Sequence, residues 1–203
     1  MGQLDGKVAI VTGGGSGIGK GIAKAFADEG CSVVIAARNS DRLDAAAAEL
    51  SNGGGTVISI PTDVTSEEQM ISLFAKTMDQ FGKLDVLVNN SGAFDGGPVE
   101  ELTMEQWQKV IDVNVTGPFL GSREAFKIMK KQGGGSIINN ASIAGVGVGY
   151  GSMLYSAGKA AVIHMTRCLA IELGEYGIRL NCISPGGVMT PIFLGPAQDN
   201  LTT

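Results

Sequence analysis

Short apolar runs rich in β-branched residues alternate with longer periodic stretches along this chain, and that alternation leaves few folds open. The runs at 8–11, 33–36, 57–60, 86–88, 136–139 and 179–183 read as strands. The stretches at 17–29, 41–50, 66–81, 103–131 and 155–176 read as helices, the fourth with room for two pieces. Strands joined by helices of this length pair in parallel, with helices laid on both faces of the sheet. Val33-Val34-Ile35-Ala36 and Val86-Leu87-Val88 are continuously apolar, as strands covered on both faces should be. The expectation is one domain over 1–203: an α/β fold, a doubly wound parallel sheet in three α/β/α layers.

Composition narrows the function. Gly supplies 31 of 203 residues, about twice the usual ~7%, so the glycines need local reasons. Some stand where helices pass into strands, at 53–55 and 133–135, where left-handed caps want Gly. Ser66 and Thr103, each with Gln three residues on, mark helix starts. The net charge is −5 and no basic run occurs, which argues against nucleic acid or an anionic membrane as partner. No apolar run reaches the ~18 residues of a membrane span. Residues 1–7 run straight into the first strand without the pattern of a signal peptide. Cys31, Cys168 and Cys182 are widely spaced in apolar surroundings and read as reduced, buried thiols of a cytoplasmic protein. With the single His164, read as packed, they make no metal site. Trp107 reads as packing one side of its helix, Met165, Leu169 and Leu173 as a core or interface stripe, and the alanines at 45–48 as a solvated helical run.

The first strand ends in Thr12-Gly13-Gly14-Gly15-Ser16-Gly17-Ile18-Gly19 and a helix follows. A backbone that turns sharply there, without side chains at Gly13, Gly17 or Gly19, can bring a pyrophosphate against the helix N-terminus. The strand–loop–helix context is what gives a glycine-rich loop that meaning, and the missing Lys-Ser/Thr pair disfavours a nucleoside-triphosphate loop. The second strand runs out at Ala36-Ala37-Arg38-Asn39-Ser40, with no carboxylate before Asp41. A carboxylate there would favour a free ribose 2′-hydroxyl, so Arg38 leans the reading toward a 2′-phosphate, NADP(H) over NAD(H).

Tyr155 and Lys159 stand four apart at the head of the last helix, so both can point into one cleft. A phenol titrates near 10, and proton transfer near neutrality asks for a shift of roughly 3 units, which a nearby ammonium and a nicotinamide charge can supply. Ser142, just past the fifth strand, lies at the carboxyl edge where ligands bind in parallel sheets. Its hydroxyl can donate to a carbonyl oxygen as charge develops. Asn114 sits mid-helix, where Asn has no propensity advantage; it can hold water or kink the helix.

Taken together these motifs resemble the short-chain dehydrogenase/reductase family, in order and spacing, from Lys7 to Pro191. Asp63-Val64, Asn89-Asn90-Ser91-Gly92 and Pro185-Gly186 through Thr190 complete the match. The resemblance implies a Rossmann-type sheet of order 3-2-1-4-5-6 and hydride transfer between NAD(P) and a secondary alcohol or ketone. It implies Tyr155 as general acid/base, Lys159 lowering its pKa and holding the nicotinamide ribose, Ser142 orienting the carbonyl, and Asn114 supporting a water-linked proton path. For the cofactor it implies Gly13, Ser16, Gly17, Ile18, Gly19, Arg38, Asp63, Val64, Asn90, Gly92, Pro185, Gly186, Val188 and Thr190, with Tyr155 and Lys159.

Ser91 stands where the family usually has Ala, and the sequence ends at Thr203, before the family's seventh strand. That strand is therefore expected to be absent or truncated. The resemblance also implies a homotetramer, or a dimer through the fourth-to-fifth helix region. Two rival readings stand beside the dehydrogenase. One is a 3-oxoacyl-carrier-protein reductase, with Arg123, Lys127, Lys130 and Lys131 as a basic entrance. The other is a regulator that binds NADP(H) without turnover. The substrate is expected to be a small carbonyl or alcohol, its specificity set at 93–99, 143–154 and the loop after Thr190.

Overall fold

The computed structural model describes residues 2–51 and 55–190. The expected features at Gly53, Gly54 and beyond Thr190 lie outside the described residues. Six strands form one parallel sheet in the order β3-β2-β1-β4-β5-β6. They are β1 (Val8–Thr12), β2 (Ser32–Ala37), β3 (Val57–Pro61), β4 (Val86–Asn89), β5 (Gly135–Asn140) and β6 (Ile178–Ile183). Between them run α1 (Gly17–Asp28), α2 (Ser40–Ser51), α3 (Glu67–Phe81), α4 (Met104–Ile111), α5 (Gly117–Gln132) and α6 (Met153–Gly174). The order reverses at β1, whose neighbours are β2 and β4, and the crevice at such a reversal is where ligands bind in open α/β sheets.

Strands β1 to β5 split their side chains between two cores, because alternate residues face opposite ways. Ile10, Val34 and Ala36 join Leu73, Phe74, Met129 and Leu173 under α3, α5 and α6. Ala9, Val11, Val33 and Ile35 join Ala23, Leu43 and Leu50 under α1 and α2. On this second face the cover reaches Ile138, while β6 is exposed at Arg179, Asn181 and Ile183. The expected two-sided cover is therefore incomplete over β6 among the described residues.

Caps and turns fix the helix ends. The Thr103 side chain and Gln106 make a reciprocal capping box at α4. Ser66 accepts from the Gln69 N–H, but the Gln69 amide reaches Asp63 N–H at 2.8 Å, so the box expected there is half made. Gly82 and Gly133 close α3 and α5 in the left-handed conformation. The long helix expected over 103–131 breaks at Asp112–Thr116 into one π-helical turn, the kind of bulge that gathers at functional sites.

Burial departs from several expectations. Ala46 and Ala47 pack on the sheet with Leu43 and Leu50, so the alanine run is solvated only at Ala45 and Ala48. Cys31 is buried but Cys168 is exposed and Cys182 half-buried. His164 is exposed, on the outward face of α6, rather than packed. Helical spacing explains both: Val162, Thr166 and Leu173 take the inward face of α6, while His164 and Cys168, four apart, share the outward one. Leu169 and Leu173 do reach the core, and Met165 is half-buried.

Candidate active site

The carboxyl ends of β1, β4 and β5 carry polar residues that lock one another. Thr12 Oγ1 accepts from the backbone N–H groups of Asn90 and Ser91, at 2.9 and 3.0 Å. Asn90 Nδ2 donates to Thr12 O at 2.9 Å, and Asn140 Nδ2 donates to Asn90 Oδ1 at 2.8 Å. Below them, Asn89 donates to Asn139 Oδ1 and Asn139 to Thr166 Oγ1, each at 2.9 Å, which ties the sheet to α6. These bonds fix one arrangement of the edge, although among the described residues the buried Asn140 Oδ1 has no hydrogen-bond partner.

The glycine-rich loop is shaped by close approach. Gly13 and Gly17 have φ of 67° and 52°, which a side chain rarely adopts. A Cβ on Gly13 would stand 2.8 Å from Asn90 Nδ2, and one on Gly19 would overlap the Gly13 carbonyl and the Asn90 amide. Gly19 is thus buried beneath the loop and packs it. Ser16 caps α1 in extended conformation without a side-chain hydrogen bond to the helix.

Two hollows meet at this loop, and Gly13, Ser16, Ser91 and Gly92 line both. The first, about 450 Å³, brings together Gly17, Ile18, Asn90, Ser142, Tyr155, Lys159, Pro185, Gly186, Val188 and Thr190. The second, about 760 Å³, holds Arg38, Asp63 and Val64. Of the expected site residues, only Gly19 and Asn114 lie outside these walls. Asn114 is fully buried and its amide bonds to backbone: Nδ2 donates to Ala93 O at 2.7 Å and Val110 O at 3.0 Å. It pins the loop after β4 to the π turn.

Tyr155 and Lys159 do face one cavity, but the expected acidification of the phenol is not supplied by the protein alone. Burial pushes the Tyr155 phenol above its ordinary value, against a smaller opposing pull from the Ser142 hydroxyl. The Lys159 ammonium stands 5.5 Å from the Tyr155 ring centre and donates to Asn140 O at 2.8 Å. Burial lowers its own pKa to about 8. Both side chains are desolvated in a walled cleft, and among the described residues neither is paired with a carboxylate.

The sequence reading reached Phe94 only as part of the 93–99 segment and passed over Arg42. The Phe94 ring lies 5.3 Å from that of Tyr155, tilted by 54°. Arg42 joins Arg38 in the second hollow, and among the described residues neither guanidinium pairs with a carboxylate. Arg42 had a signal available: it stands in the first turn of the helix that follows the loop bearing Arg38.

The proposed basic entrance on α5 does not face this site. Arg123 pairs with Glu67 and Glu124, Lys127 pairs with Glu124, and Lys130 lies over the Phe126 and Tyr176 rings. At ~1.5 Å per residue, Lys127 to Lys131 lie roughly 15–20 Å along α5 from its first residue, toward the opposite edge of the sheet. Among the described residues no helix is long and apolar enough to cross a membrane, and no group of three His, Cys, Asp or Glu is placed to hold a metal ion.

Comparison with known proteins agrees with this geometry. The sequence pattern of the short chain dehydrogenase family matches residues 7–199. A reductase of Mycobacterium tuberculosis, which acts on a hydroxy-methyl-oxo-hexahydroindene-carboxyl-CoA, is 43% identical over 91% of this chain and 71% of its own. The crystal structure of a single-residue variant of actinorhodin polyketide ketoreductase with NADPH superposes with a TM-score of 0.92 at 36% identity, over 98% of this chain and 77% of that one. That of NAD+-bound xylitol dehydrogenase does so at 0.87 and 37%, over 91% and 71%. The pattern spans nearly the whole chain and the Mycobacterium tuberculosis relative is 43% identical over 91% of it, so this protein belongs to the short chain dehydrogenase family of oxidoreductases.

Proposed function

We propose that this protein interconverts a secondary alcohol and a ketone with a nicotinamide cofactor, preferring NADP(H), and that Tyr155 carries the proton. One observation carries the reading: Tyr155, Ser142 and Lys159 open on the same cavity as the Gly13–Gly17 turn. The residues present fit a dinucleotide. The α1 N-terminus would take a pyrophosphate, Asp63 and Val64 would flank an adenine, Asn90 would meet the adenosine-side ribose, and Val188 and Thr190 would meet the carboxamide, with Gly92, Pro185 and Gly186 lining the same cavity as Val188 and Thr190. Arg38 and Arg42, neither paired with a carboxylate among the described residues, support the 2′-phosphate.

The bound nicotinamide supplies or accepts the hydride. In reduction, Tyr155 gives its phenolic proton to the carbonyl oxygen while the carbonyl carbon gains the hydride, leaving a neutral alcohol. Ser142 donates a hydrogen bond to that oxygen as charge gathers on it. Lys159, held by the Asn140 carbonyl, stabilises the phenolate left behind and favours the proton's departure. Asn114 holds the loop after β4 against the cavity floor through Ala93. In oxidation each step runs in reverse.

The test is NADPH and NADH consumption over a panel of ketones, with Tyr155→Phe beside the wild type. Turnover that Tyr155→Phe abolishes, while cofactor affinity persists, is the expected result. Tight cofactor binding with no turnover in either protein would instead favour a regulator. Homo-oligomerisation through the α4–α5 region, where Phe119 is exposed, belongs to the same proposal and is read by light scattering.

A further inference from the structure

We propose that Asp95 and Ser152 form a strap that positions Tyr155 and Phe94, and so sets the wall against which substrate lies. The inference rests on the catalytic reading of Tyr155 above and adds two positioning residues to it.

The loop after β4 carries no regular structure over 90–98, yet it is tied at one residue from several sides. Asp95 Oδ1 accepts from the Gly96 N–H at 2.9 Å and from Gln106 Nε2 at 3.0 Å. Asp95 Oδ2 accepts from Lys109 Nζ at 3.0 Å. Two of these donors stand on α4. The same Gln106 closes the α4 capping box, so the cap and the tie share one side chain. The Lys109 ammonium, the Gln106 amide and the Gly96 N–H together hold the Asp95 carboxyl below its usual range.

The backbone of Asp95 makes the second half of the strap. Its carbonyl accepts a hydrogen bond from the Ser152 hydroxyl. That hydroxyl is the N-cap of α6, and it accepts from the Tyr155 N–H at 3.2 Å. A chain of bonds thus runs from Lys109 and Gln106 on α4, through Asp95 and Ser152, to the backbone of Tyr155. Gly96 belongs to it, because a Cβ there would overlap the Ser152 side chain. The residue before Asp95 is Phe94, whose half-exposed ring lies on the Tyr155 ring and lines the cavity. Anchoring Asp95 therefore fixes both the helix turn that carries the phenol and the ring that covers it. A displacement of the order of 1 Å at a reacting group costs up to about a hundredfold in rate, so such fixing matters to turnover.

The test uses the full chain with Asp95→Ala, Asp95→Asn and Ser152→Ala. The control is Asp85→Ala, which breaks a carboxylate cluster with Lys7 and Lys83 at the opposite sheet edge. Turnover of a ketone at saturating NADPH gives kcat and KM, NADPH fluorescence gives cofactor affinity, and ultraviolet titration with Tyr155→Phe as reference gives the phenol's pKa. The other titratable groups here are Lys159 on the same helix and Cys182 on β6, which acts on Lys159; the variants change neither. We expect kcat to fall about tenfold with cofactor affinity held within about twofold, a split a merely structural loss would not give. We also expect the phenol to titrate closer to 10 as Phe94 uncovers it, while Asp85→Ala changes neither quantity. An unchanged titration in the folded variants overturns the strap, and so does an unchanged kcat where the wild type turns over. A wild type inert toward every carbonyl sinks the catalytic reading alone, because the titration still decides the strap. If Asp95→Ala does not fold, Asp95→Asn and Lys109→Met decide by the same readouts.

Discussion

Lys159 Nζ lies 2.8 Å from the carbonyl oxygen of Asn140, buried, and among the described residues no carboxylate pairs with its charge. Its pKa falls to about 8 because burial penalises the ammonium. The unfolded chain holds that proton up to ~10.4, so between those values the unfolded state binds more protons and wild-type stability rises with pH. Below pH 8 the penalty is fully present. Lys159→Met removes it but leaves the Asn140 carbonyl unpaired, so the net gain in stability of the cofactor-free protein is about 1–2 kcal/mol at pH 7. Urea unfolding checks this: the variant should be more stable at pH 7, lose the advantage above pH ~10.4, and show no turnover at either.

Arg38 and Arg42 give the second prediction. Two guanidinia, neither paired with a carboxylate among the described residues, line the same hollow, and a charged hydrogen bond contributes about 1.5–3 kcal/mol. The double variant Arg38→Leu/Arg42→Leu should weaken NADPH binding by about 10- to 100-fold and leave NADH nearly unchanged. Fluorescence titration with both cofactors checks it, and equal losses for the two would show that the hollow does not read the 2′-phosphate.

Gly19 tests the loop rather than the charges. A Cβ there overlaps backbone at Gly13, which cannot swing aside as a side-chain tip can. Overpacking of this kind costs about 1–3 kcal/mol, and here it distorts the turn that the phosphates would approach. Gly19→Ala should fold, melt at lower temperature, and bind NADPH at least about tenfold more weakly. Calorimetry and fluorescence titration on one preparation separate the two effects.

How far the sequence carried these conclusions depends on what each residue answers to. Strands and helices were legible because Val33 to Ala36 or Leu43, Ala46, Ala47 and Leu50 must satisfy a period set by the backbone alone. A helix turn and a strand edge marked Tyr155, Lys159 and Ser142 as candidates, and the family resemblance supplied the roles expected of them. Three things were not. His164 and Cys168 have apolar neighbours in sequence, but facing is decided by helix phase, which turned them outward. Lys159 aims at a carbonyl nineteen residues away, so its loss of basicity follows from tertiary burial. The Asp95–Ser152 bond joins a loop to a helix cap fifty-seven residues on, and no local pattern announces such a pair.

Cys31 supplies a prediction about reactivity. Burial first, and the Asp85 charge second, push its thiol up to about 11, against a smaller pull from Lys83. Since the thiolate is the nucleophile, native Cys31 at pH 8 presents about a thousandth of its thiol in reactive form, and that fraction is buried. Iodoacetamide should leave Cys31 unmodified in folded protein and alkylate it in urea, as peptide mass spectrometry would show. Modification under native conditions would mean that the β1–β2 edge opens.

Asp85 governs the acid limb of stability. Burial raises its pKa, but the Val8 N–H and the Lys7 and Lys83 ammonium groups outweigh that and hold it below the ordinary 3.8. The Val8 N–H donates at 2.9 Å, so this carboxylate fastens the first residue of β1 to the start of β4. A carboxylate with depressed folded pKa stabilises above its unfolded value and loses that contribution as pH falls through the folded one. Asp85→Asn should therefore be less stable than wild type at pH 6, with the difference shrinking below pH ~4 as the wild-type carboxyl takes up its proton. Urea midpoints measured from pH 6 to pH 3 test this. A constant gap across that range would show that the Asp85 charge contributes nothing to stability.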